Sequence, residues 1–147
     1  LGEMGIPPYL VGSSVIGVMA QRLIRKICPS CSTERSVDPS KDNVAVEYGV
    51  KTLKCANIVD LSDKEIEQEK LCPICNGTGY KGRLGLYEVM KVTEPIRELI
   101  MKSSTADVIR ERAAEKGVKS LLDYGMELVK QKLTTLEEVE RVCLLND

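Results

Sequence analysis

The sequence predicts an α+β fold in which two strands flank a long polar excursion and a cluster of short helices follows. An aliphatic segment over residues 18–27 ends at a first Cys-x-x-Cys pair, and a second pair precedes a segment over 83–92 that alternates as a half-buried strand does. From residue 93 onward, apolar residues recur every three or four positions, which is the helical period. We therefore expect three parts, over residues 1–27, 28–75 and 76–147.

Composition supports a folded protein and excludes several chemistries. The chain has 147 residues, of which 43% are hydrophobic and 29% charged, as in globular proteins. It contains no His, which excludes His-based acid–base or nucleophile-activating dyads and imidazole ligands for zinc. The 21 basic and 22 acidic residues give a net charge of −1, so no basic footprint for nucleic acid is present and we expect no nucleic-acid partner.

The first part is predicted to be a helix followed by an apolar segment. Pro7 and Pro8 suit the opening turn of a helix that runs to about Gly17. Periodicity leaves open whether residues 18–27 continue this helix or form a strand. The uncharged run over 4–21 is interrupted by Pro and Gly and has no basic flank, so we expect neither a membrane span nor a signal peptide.

The excursion between the two Cys-x-x-Cys pairs is polar and acidic. Its apolar pieces, at 44–46 and 56–61, are short, so we expect too little apolar content for a core of its own. Ser62 and Glu65 have the spacing of a capping box and predict a short helix.

Four short helices are predicted after the second strand. Their expected starts are Thr93 with Pro95 in the first turn, Ser104 with Asp107, Ser120 with Asp123, and Thr134 with Glu137. The second of these helices is expected to end before Gly117. We expect these helices to fold without help from the excursion, because they carry their own apolar stripes and caps.

The two Cys-x-x-Cys pairs are the strongest chemical signal. Together they offer four thiolates to one tetrahedral ion, and the ligands are Cys28, Cys31, Cys72 and Cys75. An all-thiolate set with no open position predicts structural zinc rather than a catalytic metal. Two separate redox pairs, an iron–sulfur cluster and disulfides stay open as alternatives. Cys55 and Cys143 have no partner at ligand spacing and are interpreted as reduced thiols.

Zinc at this position would have a clear physical role. It would tie the ends of the excursion together, and closing that loop costs entropy that the sparse apolar residues could not offset. Structural zinc contributes roughly 10–16 kcal/mol to folding in finger peptides, which is enough to do so.

Three runs carry a resemblance to a known family. They are MGIPPYLVGSSVIGVMAQRLIRKICPSC, CPICNGTGYKGRLGLYEVM and SLLDYGMELVKQKLTTLEEVERV. The chain resembles the C-terminal part of the hexameric secretion ATPases, which drive type II secretion (GspE type) and type IV pilus extension (PilB type). The resemblance implies that residues 1–27 end a RecA-like core, that the four cysteines bind zinc in an insertion, and that 83–92 returns to the sheet. It also implies ATP and Mg²⁺ in the full-length parent, a homo-hexamer, an inner-membrane platform partner and a cytoplasmic location.

The chain departs from that family in its catalytic motifs. No Gly is followed by Lys, so the phosphate-binding loop GxxxxGK[ST] is missing, and the acidic and histidine boxes of the family are missing too. We therefore expect no ATP hydrolysis by this segment alone and assign no catalytic or nucleotide-binding residue. For Gln21 and Arg22 two interpretations stay open: a position near the nucleotide or a subunit interface in the complete enzyme, or ordinary exposed strand residues.

Two functional hypotheses follow. The leading one is a non-catalytic, zinc-binding C-terminal module of an assembly ATPase, and the alternative is a free-standing zinc-ribbon module for protein interaction. The chain begins with Leu1, which favours a piece of a longer protein. Coding sequence for a phosphate-binding loop upstream of Leu1 would support the first hypothesis, and a start codon directly before Leu1 would support the second.

Overall fold

The computed structural model describes residues 4–60 and 71–144. In chain order the elements are α1 (Pro8–Ser14), β1 (Gly17–Ile27), β2 (Thr33–Ser36), α2 (Asn43–Glu47), β3 (Thr52–Cys55), β4 (Tyr80–Lys91), α3 (Glu94–Met101), α4 (Ala106–Glu115), α5 (Leu121–Lys130) and α6 (Leu136–Cys143). This mixture of helices and small sheets confirms the predicted α+β class. Among the described helices, none has the length and apolar character needed to span a bilayer.

Two small sheets contain the four strands. The amide of Val92 donates to the carbonyl of Ile16 at 3.0 Å, and that of Cys28 donates to Gly79 at 2.9 Å, so β1 and β4 run antiparallel. Residues 18–27 are thus a strand, which settles the choice that periodicity left open. Strands β2 and β3 form a second antiparallel pair inside the excursion, with Thr33 opposite Cys55.

The chain divides into two compact units. The first contains Leu1–Gln21 and Tyr87–Leu121, and the second contains Arg22–Leu86 and Leu122–Asp147. Helices α1, α3 and α4 therefore belong to the first unit, whereas α5 and α6 belong to the second with the excursion. The predicted boundaries after residues 27 and 75 stay a prediction.

A compact apolar cluster holds the first unit together. Val92, Ile96 and Ala113 are buried there. Helix α1 lies so close to α3 that a methyl group added at Gly12 would come within 2.9 Å of the Met101 Cγ. The Arg97 guanidinium also donates to the Gly12 carbonyl.

The second unit has the larger core, and a glycine allows its helices α5 and α6 to approach each other. The fully buried apolar side chains of this unit include Ile24, Leu53, Leu86, Met126, Val129 and Val139. A methyl group added at Gly125 would lie 2.7 Å from a methyl group of Val139. The close contact between α5 and α6 therefore depends on the absence of a side chain at residue 125.

The excursion has more structure than its composition predicted. Ala45, Val50 and Leu53 are buried within it. The Arg35 guanidinium donates to both oxygens of the buried Asp42, at 2.5 and 2.8 Å. Hydrogen bonds from Arg35 and from the Asp38 amide lower the pKa of Asp42 to about 2. These residues are buried within the folded chain as a whole, so the expectation that the excursion has no core of its own stays a prediction. The helix predicted from Ser62 lies outside the described residues.

The predicted helix starts are partly corrected. Thr93 lies at the N-cap of α3 as predicted, although its hydroxyl is buried and has no partner within the described residues. Helix α4 begins one residue later than expected, with Thr105 at its N-cap, and Asp107 instead pairs with Arg110 at 2.8 Å. Helix α5 starts directly after Ser120, as predicted.

The predicted start of α6 was also one residue early. Thr135, not Thr134, accepts the amide N–H of Glu138. Thr134 instead donates its hydroxyl to the Arg25 carbonyl at 2.8 Å. A long-range partner decided which threonine of the pair caps the helix.

Candidate metal centre

The structure brings together the sulfurs of all four predicted ligands. Cys28 directly follows β1, and Cys31 lies in the turn before β2. Cys72 and Cys75 lie in the turn that leads into β4. The antiparallel pairing of β1 with β4 places both turns at one end of this ribbon. All four Sγ atoms lie within 4.8 Å of one another.

The sulfur separations fit one tetrahedral ion. Zinc–sulfur bonds of about 2.3 Å at tetrahedral angles place the sulfurs about 3.8 Å apart. The Cys28 and Cys72 sulfurs are 3.8 Å apart, and those of Cys31 and Cys75 are 3.5 Å apart. The donor set and its spacing therefore fit zinc.

The same sulfur–sulfur distances argue against disulfides, two separate redox pairs and an iron–sulfur cluster. Separations of 3.5 and 3.8 Å are far longer than a disulfide bond of about 2.05 Å. These two contacts join one Cys-x-x-Cys pair to the other, which favours one shared site over two separate redox pairs. An iron–sulfur cluster would have to fit between the thiolates, and this spacing leaves room for a single ion.

Backbone amides stabilise negative charge on the second pair. The amides of Cys75 and Ile74 donate to the Cys72 sulfur and lower the pKa of that thiol to about 6. Burial opposes ionisation of Cys75, but hydrogen bonds that include one from the Gly79 amide outweigh it and lower its pKa. Burial and hydrogen bonding to Cys75 raise the pKa of Cys31 to about 12. Backbone amides therefore favour the thiolate form of Cys72, which is the form that binds a metal.

The residues after Cys75 form a turn in which several residues adopt the left-handed backbone conformation. Asn76, Gly77 and Gly79 have φ values of 51°, 79° and 73°. The Thr78 hydroxyl donates to the Cys75 carbonyl at 2.7 Å, and the Gly77 carbonyl accepts from the Val59 amide at 2.8 Å. This turn connects the second pair to the excursion as well as to β4.

Gly79→Ala is expected to weaken metal binding. An added Cβ would lie 2.9 Å from the Cβ of Ala56 and 3.1 Å from the Asn57 carbonyl oxygen, at a φ that side chains rarely adopt. We expect a loss of about 2–4 kcal/mol in unfolding free energy and faster zinc loss. Denaturant titration measures the unfolding free energy, and zinc transfer to a chelator measures the rate of zinc loss. Gly82→Ala is the control, since Gly82 also has a positive φ but an added Cβ would meet nothing within 4 Å. Equal effects of the two substitutions would contradict a role for close packing at Gly79.

The remaining sequence candidates lie apart from this cluster. Cys55 ends β3 and Cys143 ends α6, and neither belongs to the metal-ligand group found among the described residues. Burial raises the pKa of Cys143, as expected of a reduced thiol. Gln21 and Arg22 are exposed residues of β1, and neither interpretation of them is tested.

Sequence reasoning missed a polar network beside the cluster. Glu138 of α6 is buried and binds Arg25 of β1, and the Tyr80 hydroxyl lies 3.0 Å from the Thr135 hydroxyl. The Thr-x-x-Glu spacing of 135 and 138 is a detectable signal, but the adjacent pair, 134 and 137, has the same spacing, so the sequence alone does not distinguish them.

The chain thus contains a segment between two antiparallel strands whose four cysteines lie close enough together to hold one metal ion. Residues 1–141 match the model of the family described as "Type II/IV secretion system protein". The chain belongs to this family, which confirms the predicted resemblance.

Named relatives align along nearly the whole chain. The type IV pilus assembly ATPase PilB of Thermus thermophilus is 38% identical over 144 residues, which are 95% of this chain and 15% of that protein. The type II secretion system ATPase E of Vibrio cholerae is 34% identical over 145 residues, 97% of this chain and 26% of that protein. Type II secretion system protein E of Aeromonas hydrophila is 34% identical over 140 residues, 95% of this chain and 26% of that protein. The chain thus spans about a quarter or less of the length of these relatives.

Proposed function

We propose that this chain is the zinc-binding C-terminal part of an assembly ATPase that powers type II secretion or type IV pilus assembly. The observation that carries the proposal is the four-sulfur cluster of Cys28, Cys31, Cys72 and Cys75, with all sulfurs within 4.8 Å. The zinc is structural, because four thiolates complete its coordination and leave no position for substrate or water. Such a site binds and orients chain segments and supplies no reactive group.

The proposed role of the metal is to hold the excursion against the rest of its unit. Beyond the cluster, polar contacts between these parts within the described residues include an ion pair of Arg35 with Glu137 at 3.7 Å. The Tyr48 hydroxyl donates to Asp123 of α5 at 2.6 Å, and Lys132 pairs with Glu34 of β2 at 2.8 Å. Exposed ion pairs contribute about 0–1 kcal/mol each. The metal is therefore proposed to restrain the excursion more strongly than these polar contacts do.

We propose that the complete protein hydrolyses ATP with Mg²⁺ as a homo-hexamer on the cytoplasmic face of the inner membrane, with a membrane platform protein as partner. Support comes from the relatives, whose names describe assembly and secretion ATPases. These 147 residues contain no phosphate-binding loop and are proposed to lack ATPase activity on their own.

The first 27 residues are proposed to end a RecA-like core. Strand β1 exposes Val18, Met19 and Leu23, each more than half accessible. A strand with so many accessible apolar side chains suits a place in a larger sheet. Because the family match extends over residues 1–141, an assembly ATPase is favoured over a free-standing zinc ribbon.

We expect one zinc per chain in protein purified without chelator. Elemental analysis measures the ratio, and cobalt substitution with its visible spectrum reports tetrahedral thiolate coordination. Cys55→Ser and Cys143→Ser are matched controls that should retain one zinc, because neither residue belongs to the cluster. Reduced, folded protein with a ratio near zero, or with the absorption of an iron–sulfur cluster, would overturn the proposal.

A further inference from the structure

A fully buried carboxylate lies on α6, and the established family membership gives it no role. The Glu138 side chain is inaccessible to solvent, and burying a charge is costly unless partners compensate for it. Five hydrogen bonds do so. The guanidinium groups of Arg25 and Arg141 each donate two, with the shortest at 2.7 Å, and the Arg25 amide donates at 2.9 Å.

This network restrains the backbone that leads into the first Cys-x-x-Cys turn. Besides the bonds from Arg25 to Glu138, the Arg25 carbonyl accepts from the Thr134 hydroxyl at 2.8 Å. The Ile27 amide donates to the Leu133 carbonyl at 3.0 Å. Arg25 and Ile27, which lie just before Cys28, are therefore held by the segment that connects α5 to α6.

The same segment also restrains the second turn. The Tyr80 hydroxyl lies 3.0 Å from the Thr135 hydroxyl, and the Arg25 guanidinium carbon lies 4.0 Å from the centre of the Tyr80 ring. The Cys28 amide donates to the Gly79 carbonyl, which joins the two turns directly. Both turns that carry metal ligands are thus held at the N-terminal end of one helix.

We propose that Glu138 is a positioning residue of the zinc centre, which holds Arg25 and, with Thr135 and Tyr80, keeps the two Cys-x-x-Cys turns at the separation that zinc requires. This inference rests on the proposed zinc site. Glu138 does not touch the metal. It keeps the ligand-bearing turns together when a sulfur leaves the ion, so that rebinding is faster than escape. Groups that hydrogen-bond directly to metal ligands typically change metal affinity by about 10–100-fold when mutated, and Glu138 acts one residue further away through Arg25, so the lower end of that range is expected.

The test uses the zinc-loaded 147-residue chain and measures the rate at which zinc passes to an excess of a chromophoric chelator. In Glu138→Gln the side chain keeps its size but loses its charge, and its amide group faces two guanidinium groups. We expect one zinc per chain at the start and transfer about tenfold faster than in the wild type. Tyr80→Phe keeps the ring beside Arg25 and removes one hydrogen bond, so a smaller acceleration is expected.

Val139→Ala is the matched control, because it destabilises the same helix without touching this network. Val139 is fully buried and packs on Gly125. We expect Val139→Ala to lower the denaturation midpoint and to leave zinc transfer within twofold of the wild type. Transfer from Glu138→Gln within twofold of the wild type, or equal acceleration by Val139→Ala, would overturn the inference. If Glu138→Gln does not fold, zinc transfer from Tyr80→Phe is measured instead. A rate within twofold of the wild type, or one equalled by Val139→Ala, would then overturn the inference. A wild-type chain that holds no zinc would instead overturn the zinc proposal, and this inference with it.

Discussion

Removing zinc is expected to unfold the second unit and to leave the first one folded. Structural zinc contributes roughly 10–16 kcal/mol in finger peptides, which equals or exceeds the total stability of about 5–15 kcal/mol of an ordinary domain. The second unit contains the cluster together with α5 and α6, whereas α3 and α4 pack on an apolar cluster in the first unit. This changes the expectation drawn from the sequence, by which all four C-terminal helices would survive without metal.

Hydrogen exchange with and without chelator, and with Cys72→Ser, measures this effect. We expect protection to fall by several orders of magnitude in the second unit, α5 and α6 included, and by much less in α3 and α4. Cys55→Ser serves as the control, since it removes a thiol outside the cluster. If α5 and α6 keep full protection after zinc is removed, the division into these two units does not describe the folding of the chain.

Glu138→Ala is expected to cost about 1–3 kcal/mol of unfolding free energy in the zinc-loaded protein. The substitution removes the hydrogen bonds made to a fully buried carboxylate, whereas the Arg25 and Arg141 side chains left behind are about half exposed and are hydrated instead. Urea denaturation measures the difference. Glu137→Ala is the matched control on the same helix turn, because Glu137 is exposed and pairs with Arg35 only at 3.7 Å. A loss below 1 kcal/mol for Glu138→Ala would show that the network adds little to stability.

The pH dependence of the unfolding free energy lost in Glu138→Ala follows from the pKa of Glu138. Burial alone would raise that pKa, but hydrogen bonds from Arg141 and Arg25 outweigh burial and lower it from 4.5 to about 2. A carboxyl whose pKa is lower in the folded state stabilises the protein above its unfolded pKa. The difference between wild type and Glu138→Ala should therefore be constant from pH 8 to about pH 5. The stabilisation itself is lost only as the pH falls from about 4.5 toward 2, where protons also displace zinc from the thiolates, so the comparison is made above pH 5.

The local pattern of the chain predicted much of the site and of the secondary structure. Two Cys-x-x-Cys pairs predict the four cysteines that the structure brings together, because the spacing within each pair alone allows two thiolates to reach one ion. The strand at β4 and the helices from Thr93 follow from apolar periods of two and about 3.6 residues, which the backbone geometry imposes directly. Family membership also follows from local runs such as GYKGRLG beside the second pair.

Features that depend on distant residues were decided by the tertiary structure. Arg25 and Glu138 are 113 residues apart, and nothing near either one indicates the other. Thr134 and Thr135 have equal capping propensity, and the choice between them follows from the Arg25 carbonyl that occupies the Thr134 hydroxyl. The assignment of α5 and α6 to the unit of the metal cluster likewise follows from contacts across the chain. Periodicity shows that a helix has an apolar face, but only the folded chain determines which partner covers it, because burial is non-directional and any apolar surface of fitting shape satisfies it.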